Sequence, residues 1–231
     1  MRLKCDLHLH TKEDPRHQLS YSAKELIDAA AGHRYDVLSI TNHNTVTYNS
    51  ELADYAAGKG ILLIPGVEAT VMGKHVLIYG VGGDAGGTCE KWDSLSFFDL
   101  KRLKAAGAFI VAPHPFYPNY NCLGNLLNRF STLFDAVEYS HLYTRKVNFN
   151  LKAQEFAREN GIPTLGLSDA HSLKQLNYTY TLIDAEKEMH SIFQAIKEDK
   201  ATIVTRPARI STSSAVGIQL FATFLLLQIF K

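Results

Sequence analysis

Strand-like and helix-like segments alternate along most of this chain, and nearly every strand-like segment ends in a histidine or an acid. That conjunction restricts the fold more than any other feature. "RLKCDLHLH" precedes the helix-like "SAKELIDAAAGHR", where Ser22 and Glu25 match a capping box. "YDVLSIT", "GILLIPGVEAT", "KHVLIYGVG", "AFIVAPHP", "FDAVEYS", "IPTLGLSDAH", "TYTLID" and "KATIVT" read as further strands. Between them lie helix-like "SELADYAAGK", "WDSLSFFDLKRLKAAG", "TRKVNFNLKAQEFARENG" and "EKEMHSIFQAIKED", and Met72 with Gly73 suits a hairpin turn. This order predicts an α/β fold, a closed parallel barrel of the TIM type rather than a sandwich or bundle, with an open doubly wound sheet as competitor.

The polar residues at the strand ends sharpen the reading. His10, His43, Glu68, His114, Glu138, and Asp169 with His171 all fall at or just beyond strand ends, and barrels of this class build their sites on that face. In "DLHLHT", alternation places His8 and His10 on one face while Leu7 and Leu9 pack. Two adjacent imidazoles suggest a metal. Alone, an H-x-H is equally a solvated edge strand, but separate strands delivering nitrogen and oxygen donors to one rim are hard to attribute to chance.

Composition narrows the class. A chain of 231 residues with formal charge +1 has room for one sizeable core and no clustered basic footprint, so duplex nucleic acid binding is not expected. Cys5, Cys89 and Cys122 lie far apart, which predicts neither a disulfide framework nor a thiolate zinc site and fits a reducing, cytoplasmic setting without a secretory leader. The expected division is a catalytic barrel over 1–208 and an apolar tail over 209–231, read as a hydrophobic C-terminal helix. "AVGIQLFATFLLLQIF", preceded by Arg206 and Arg209, suits a membrane anchor under the positive-inside rule; a buried terminal helix or an oligomer contact is the other reading.

"DLHLHT", "ITNHNT", "PGVEAT", "KHVLIYG", "APHP" and "LSDAH", in this order, resemble the PHP (polymerase and histidinol phosphatase) family over essentially residues 1 to 205. The resemblance implies a distorted (β/α)7 barrel, up to three divalent metals (zinc, manganese or iron) and hydrolysis of phosphate esters. It further implies that His8 and His10 share a metal with Glu68 and Asp169, and that His43 and His171 hold a second with an acid from the first loop. Glu68 would bridge to a third, completed by His75 and His114.

Two departures from the family pattern stand out. Asn42 replaces the usual acid before His43, and the first loop reads "KEDPRHQ", in which Asp14 is the leading ligand candidate and Glu13 or His17 the alternatives. His33 and His190 read as structural. His141 is a candidate for proton transfer, Arg206 the best of Arg145, Lys146 and Arg206 for holding phosphate, and Tyr117 and Tyr120 for covering the mouth or stacking on a base. The expected activity is a metal-dependent phosphoesterase acting on a small phosphorylated substrate, including a nucleotide or short oligonucleotide. Its alternatives are hydrolysis of a carbon ester or amide, and a silent metal-binding scaffold.

Overall fold

The computed structural model describes residues 1–81 and 91–208. Ten strands and six α-helices follow one another within them: β1 (Arg2–Leu9), α1 (Ala23–Gly32), β2 (Val37–Ile40), α2 (Ser50–Gly58), β3 (Leu62–Leu63), β4 (Gly66–Val71), β5 (Lys74–Tyr79), α3 (Phe97–Ala105), β6 (Phe109–Ala112), α4 (Asn125–Arg129), β7 (Ala136–Ser140), α5 (Asn150–Asn160), β8 (Thr164–Leu167), β9 (Thr179–Asp184), α6 (Met189–Lys197) and β10 (Ala201–Thr205). The helix starts follow from their caps. Ser22 and Glu25 form the expected capping box on α1, and Ser96 with Asp99 repeats it on α3.

The strands do not close into one parallel barrel. They form two mixed five-stranded sheets, ordered β10-β9-β1-β2-β3 and β4-β5-β6-β7-β8. β1, β2 and β3 are parallel, as are β6, β7 and β8, but β9 runs antiparallel to both β1 and β10, and β5 to both β4 and β6. The reason is local. Met72 (φ 47°) and Gly73 (φ 77°) turn directly back, as a two-residue hairpin requires, so no crossover helix separates β4 from β5.

Isolated bridges join the two sheets at both seams, His43 to Glu68 at one and Leu9 to Ala170 at the other. Each seam depends on a glycine. A Cβ on Gly66 would come within 2.8 Å of the Tyr79 ring and closer still to Ser39 Oγ; one on Gly166 would meet Ile203 at 2.7 Å and the Tyr180 carbonyl at 2.9 Å.

Between the sheets lies a core that draws Leu3, Cys5 and Leu7 from β1, Leu77 and Tyr79 from β5, and Phe109 from β6, closed below by Ile192, Phe193 and Ile196 of α6. Burying each such side chain stabilises the fold by about 1.5–3 kcal/mol. The leucines of the first motif do not share one environment. Leu7 joins this central core and Leu9 joins the cluster under α1 and α2, because the β1–β2 register shifts between Asp6 and Leu9. No helix among the described residues is long and apolar enough to cross a membrane; the apolar tail 209–231 lies outside them.

Candidate metal centre

The polar residues collect where the two sheets meet. β1 carries His8, and His10 follows it; His43 follows β2, His114 follows β6, and Asp169 and His171 follow β8. Glu68 lies within β4, and His75 comes from the start of antiparallel β5, where it pairs with Thr70. His114 (φ 48°) and Asp169 (φ 46°) both take left-handed backbone conformations, a strain of about 1–3 kcal/mol each that non-glycine residues bear mainly at functional sites.

Glu68 is the hub. Its Oε2 lies 3.3 Å from His8 Nε2, 3.3 Å from His10 Nε2 and 3.2 Å from His43 Nε2, and its Oε1 lies 2.7 Å from His75 Nδ1 and 3.4 Å from His114 Nε2. Asp169 Oδ1 reaches the same ring edges, 3.4 Å from His8 Nε2 and 3.2 Å from His10 Nε2, with His171 Nδ1 at 3.5 Å.

Two other carboxylates stand on the opposite ring edges. Asp14 Oδ2 lies 2.7 Å from His10 Nδ1 and 2.8 Å from His43 Nδ1, and accepts the His43 backbone N–H at 3.0 Å. Glu138 Oε2 lies 2.8 Å from His8 Nδ1. A carboxylate on Nδ1 accepts that N–H and fixes the ring so that Nε2 faces the inner carboxylates. Asp6 does not contact an imidazole ring. Its Oδ1 accepts the backbone N–H groups of Ser168 (3.1 Å) and His8 (3.4 Å), tying β1 to the end of β8.

Burial by itself would strip protons from these rings. At His8 the carboxylates of Asp169, Glu138 and Glu68 overcome it and lift the pKa to about 10; His10, against the same penalty, is held well above 6.5 by Asp14, Asp169 and Glu68. His114 is likewise raised against burial, by Cys122 and Glu68. Burial also opposes ionisation of Glu68 and Asp169, yet the neighbouring rings, His8 foremost, hold both well below the usual carboxylate range. Burial lowers His17, His43 and His171, and pushes His141 down to about 4.

The donor set fits divalent cations. His10 Nε2 and Glu68 Oε1 are buried and make no well-aligned hydrogen bond, although opposing atoms surround them. Among the described residues, five groups of three donors bring their ligand atoms within 4.8 Å of one another, including His8 with His10 and Glu68, His10 with Asp169 and His171, and His43 with Glu68 and His75. Imidazole with carboxylate suits zinc, manganese or iron.

The cluster opens into a cavity of about 430 Å³. Its wall holds Arg16, His17, Tyr117, Tyr120 and Cys122 as well as His43, Glu68, His75, His114, Asp169 and His171; His8, His10 and Asp14 lie behind it. Of the loop alternatives, Asp14 forms one of these donor groups with His10 and His43 from the Nδ1 side of both rings, His17 lies with its ring 5.1 Å from that of His43 and 4.4 Å from that of His171, and Glu13 accepts the backbone N–H of Ala23 at the foot of α1.

Asn42 faces away from this chemistry. Its amide accepts the Thr11 N–H at 2.9 Å and donates to the Thr11 and Thr47 hydroxyls at 2.8 and 2.7 Å, two bonds an ionised acid would be unable to donate. His141 is buried, with Nε2 beside Gln175 and Nδ1 unpaired. Arg206 stacks its guanidinium 4.4 Å over Tyr178 and, like Arg145 and Lys146, does not line the cavity.

Two wall residues escaped the sequence reading. Arg16 sits in a loop that departs from the motif. Cys122 lacks metal-site spacing, yet its Sγ lies 3.6 Å from His114 Nδ1, so a thiol does border the centre. Glu138 was legible as a strand-end acid.

The fold is similar to that of known proteins. The family model described as PHP-associated matches residues 147–201. An uncharacterized protein of Methanocaldococcus jannaschii is 24% identical over 159 residues, which cover 62% of this chain and 84% of that protein. A two-domain protein from Bacteroides vulgatus containing a predicted PHP-like metal-dependent phosphoesterase superposes with a TM-score of 0.65 at 19% identity, over 89% of this chain and 65% of that one. Endonuclease Q, in complex with a 27-mer duplex substrate bearing an abasic lesion at the active site, superposes with a TM-score of 0.61 at 14% identity, over 91% of this chain and 61% of its own. The chain thus spans less than two thirds of either solved relative. At these identities the structural likenesses establish the fold.

Proposed function

We propose that the chain hydrolyses a small phosphomonoester, a nucleotide included, with up to three divalent ions held by the scaffold over 1–208, a reading supported by its similarity to the PHP-associated family model and to PHP-like phosphoesterases. The observation that carries this reading is Glu68: one buried carboxylate whose two oxygens face separate sets of imidazole nitrogens, three and two, at 2.7–3.4 Å. In this assignment His8, His10, Glu68 and Asp169 hold one ion. His43 and His171 hold a second with His17, Asp14 orienting His10 and His43 from behind. Glu68, His75 and His114 hold the third.

Divalent ions there supply Lewis acidity toward phosphoryl oxygens and a nucleophile drawn from water at neutral pH. The chain's own groups prepare the place. Asp14 and Glu138 hold the Nδ1 protons of His10, His43 and His8, which keeps each Nε2 unprotonated and aimed inward when cations replace the ring protons. The ester's organic group would lie beside Tyr117 and Tyr120 of the cavity wall. His141, pushed down to about 4 by burial, is neutral at pH 7 and is not suited to be the acid that protonates the leaving alkoxide.

The test is phosphate release from phosphomonoesters, nucleotides and short oligonucleotides by protein loaded with manganese, zinc or iron. Activity should require the metal and vanish in His10→Ala. Near-normal turnover by that variant, or hydrolysis confined to carboxylic esters, would overturn the reading.

A further inference from the structure

Arg16 is the single Lys or Arg among the described residues that line the cavity. Its position is built from both ends. The backbone N–H of Arg16 donates to Asp14 Oδ1 at 2.8 Å, while the other oxygen of that carboxylate holds the His10 and His43 rings. The guanidinium spans to β4 and β5, with Nη1 3.0 Å from His75 Nε2 and Nη2 donating to Thr70 Oγ1 at 2.8 Å. One carboxylate therefore sets both the ligand rings and the cation beside them.

The charge of Arg16 is not matched locally. Among the described residues no carboxylate oxygen lies within 4.0 Å of the guanidinium, although other surface cations, Lys24 and Lys59 for instance, have such partners at 2.7 Å. A guanidinium carries five N–H donors in a rigid fork, and the two contacts to His75 and Thr70 engage only part of that set. An exposed arginine held at Thr70 and beside His75, facing a cavity and without an acid partner, matches what a planar, bidentate anion site requires.

We infer that Arg16 is the specificity-determining residue for the substrate's phosphoryl group, taking an unesterified oxygen directed at the cavity wall; the inference rests on the phosphoesterase reading for the reaction and on the geometry alone for the anion. A phosphomonoester carries three such oxygens and nearly two negative charges at neutral pH. A diester has replaced one with a second organic group. Arg16 therefore favours monoesters over diesters, and the oxygen it binds is the one that distinguishes them.

The experiment measures inorganic phosphate binding by calorimetry on the metal-loaded protein, alongside kcat/KM for matched phosphomonoester and phosphodiester substrates. Arg16→Ala should weaken phosphate binding and lower monoester kcat/KM by about 10- to 150-fold, the range for a hydrogen bond to a charged group. Diester kcat/KM should change less than about threefold, Arg16→Lys should recover only part of the loss, and Arg206→Ala should change neither reading more than about twofold. Equal losses on both ester classes, or phosphate binding unaltered in Arg16→Ala, would overturn the assignment while leaving the hydrolase reading intact. Arg16-dependent phosphate binding by a protein that hydrolyses no phosphate ester would keep the assignment and remove the hydrolase reading instead.

Discussion

The two seams between the sheets solve the same problem with different materials. At the seam between β2 and β4, the bridging residues His43 and Glu68 are themselves ligand candidates, supported by backbone bonds from Glu68 N to Thr41 O (3.2 Å) and from Asn44 N to Glu68 O (2.9 Å). At the seam between β1 and β8, the bridge is apolar, Leu9 to Ala170, and the ligand candidates His8, His10, Asp169 and His171 flank it. There the fastening is polar but off the ring nitrogens: His10 N to Ala170 O at 3.2 Å, Tyr21 Oη to the same carbonyl at 3.1 Å, and Ser168 N to Asp6 at 3.1 Å. One seam is held by the residues that carry the chemistry. The other is held beside them.

Removing Glu68 should break this comparison most severely. Glu68→Ala removes one counter-charge shared by buried, proton-bearing imidazoles, so urea unfolding of the metal-free protein should register a loss of about 3–5 kcal/mol. Metal content measured on the purified variant should fall, and metals should no longer raise its melting temperature.

The glycines test the seams as packed surfaces. Gly166→Ala should cost up to about 3 kcal/mol and Gly66→Ala less, because one obstacle at Gly166 is the Tyr180 carbonyl whereas Gly66 is surrounded by side chains. Equal costs would show that both seams yield in the same way.

Asp14→Asn and Glu138→Gln keep shape and remove charge behind the rings. Each should weaken metal affinity by about 10- to 100-fold and also lower the melting temperature of the metal-free protein, by less than Glu68→Ala does, because each removes one buried counter-charge from a proton-bearing ring.

Acidity should sharpen the same distinction. His8, lifted to about 10, and His10 and His114, held well above 6.5, keep their protons at neutral pH, so metal binding must expel protons and its affinity should rise with pH until about pH 10. Each proton expelled contributes about tenfold per pH unit. For folding of the metal-free protein the sign reverses: the contribution of His8 is full below its unfolded value of 6.5 and is lost as pH rises through about 10. Titration calorimetry across buffers of different ionisation enthalpy measures the protons released. The smallest effect belongs to the β4–β5 hairpin. Met72→Asn relieves a left-handed methionine and should stabilise the protein by less than about 1 kcal/mol without altering metal affinity.

Much of the site was legible because its donors fall at strand ends, and residues at the end of a strand have little positional freedom once the strand is placed. His8, His10, His43, Glu68, His75, His114, Asp169 and His171 could all be named from motif order, and the structure brings them together in one cluster around Glu68 and Asp169. The first loop was not legible in the same way. Its hydrogen bonds run to β4, β5 and the end of β2, so which of Asp14, Arg16 and His17 stands behind, beside or within the cluster depends on partners far along the chain.

The chain's own pattern determined the α/β alternation, the helix caps, the hairpin at Met72 and Gly73, and the donor types that suit divalent cations. These are local properties, set by periodicity, turn chemistry and side-chain identity within a few residues. Only the tertiary structure decided that the strands divide into two mixed sheets, that Glu68 faces five imidazoles at once, that Asp14 and Glu138 work from behind, and that Arg16 and Cys122 border the cavity. Each of those facts is a distance between residues remote in sequence, fixed by how closely two sheets approach at Gly66 and Gly166, and no local periodicity encodes it.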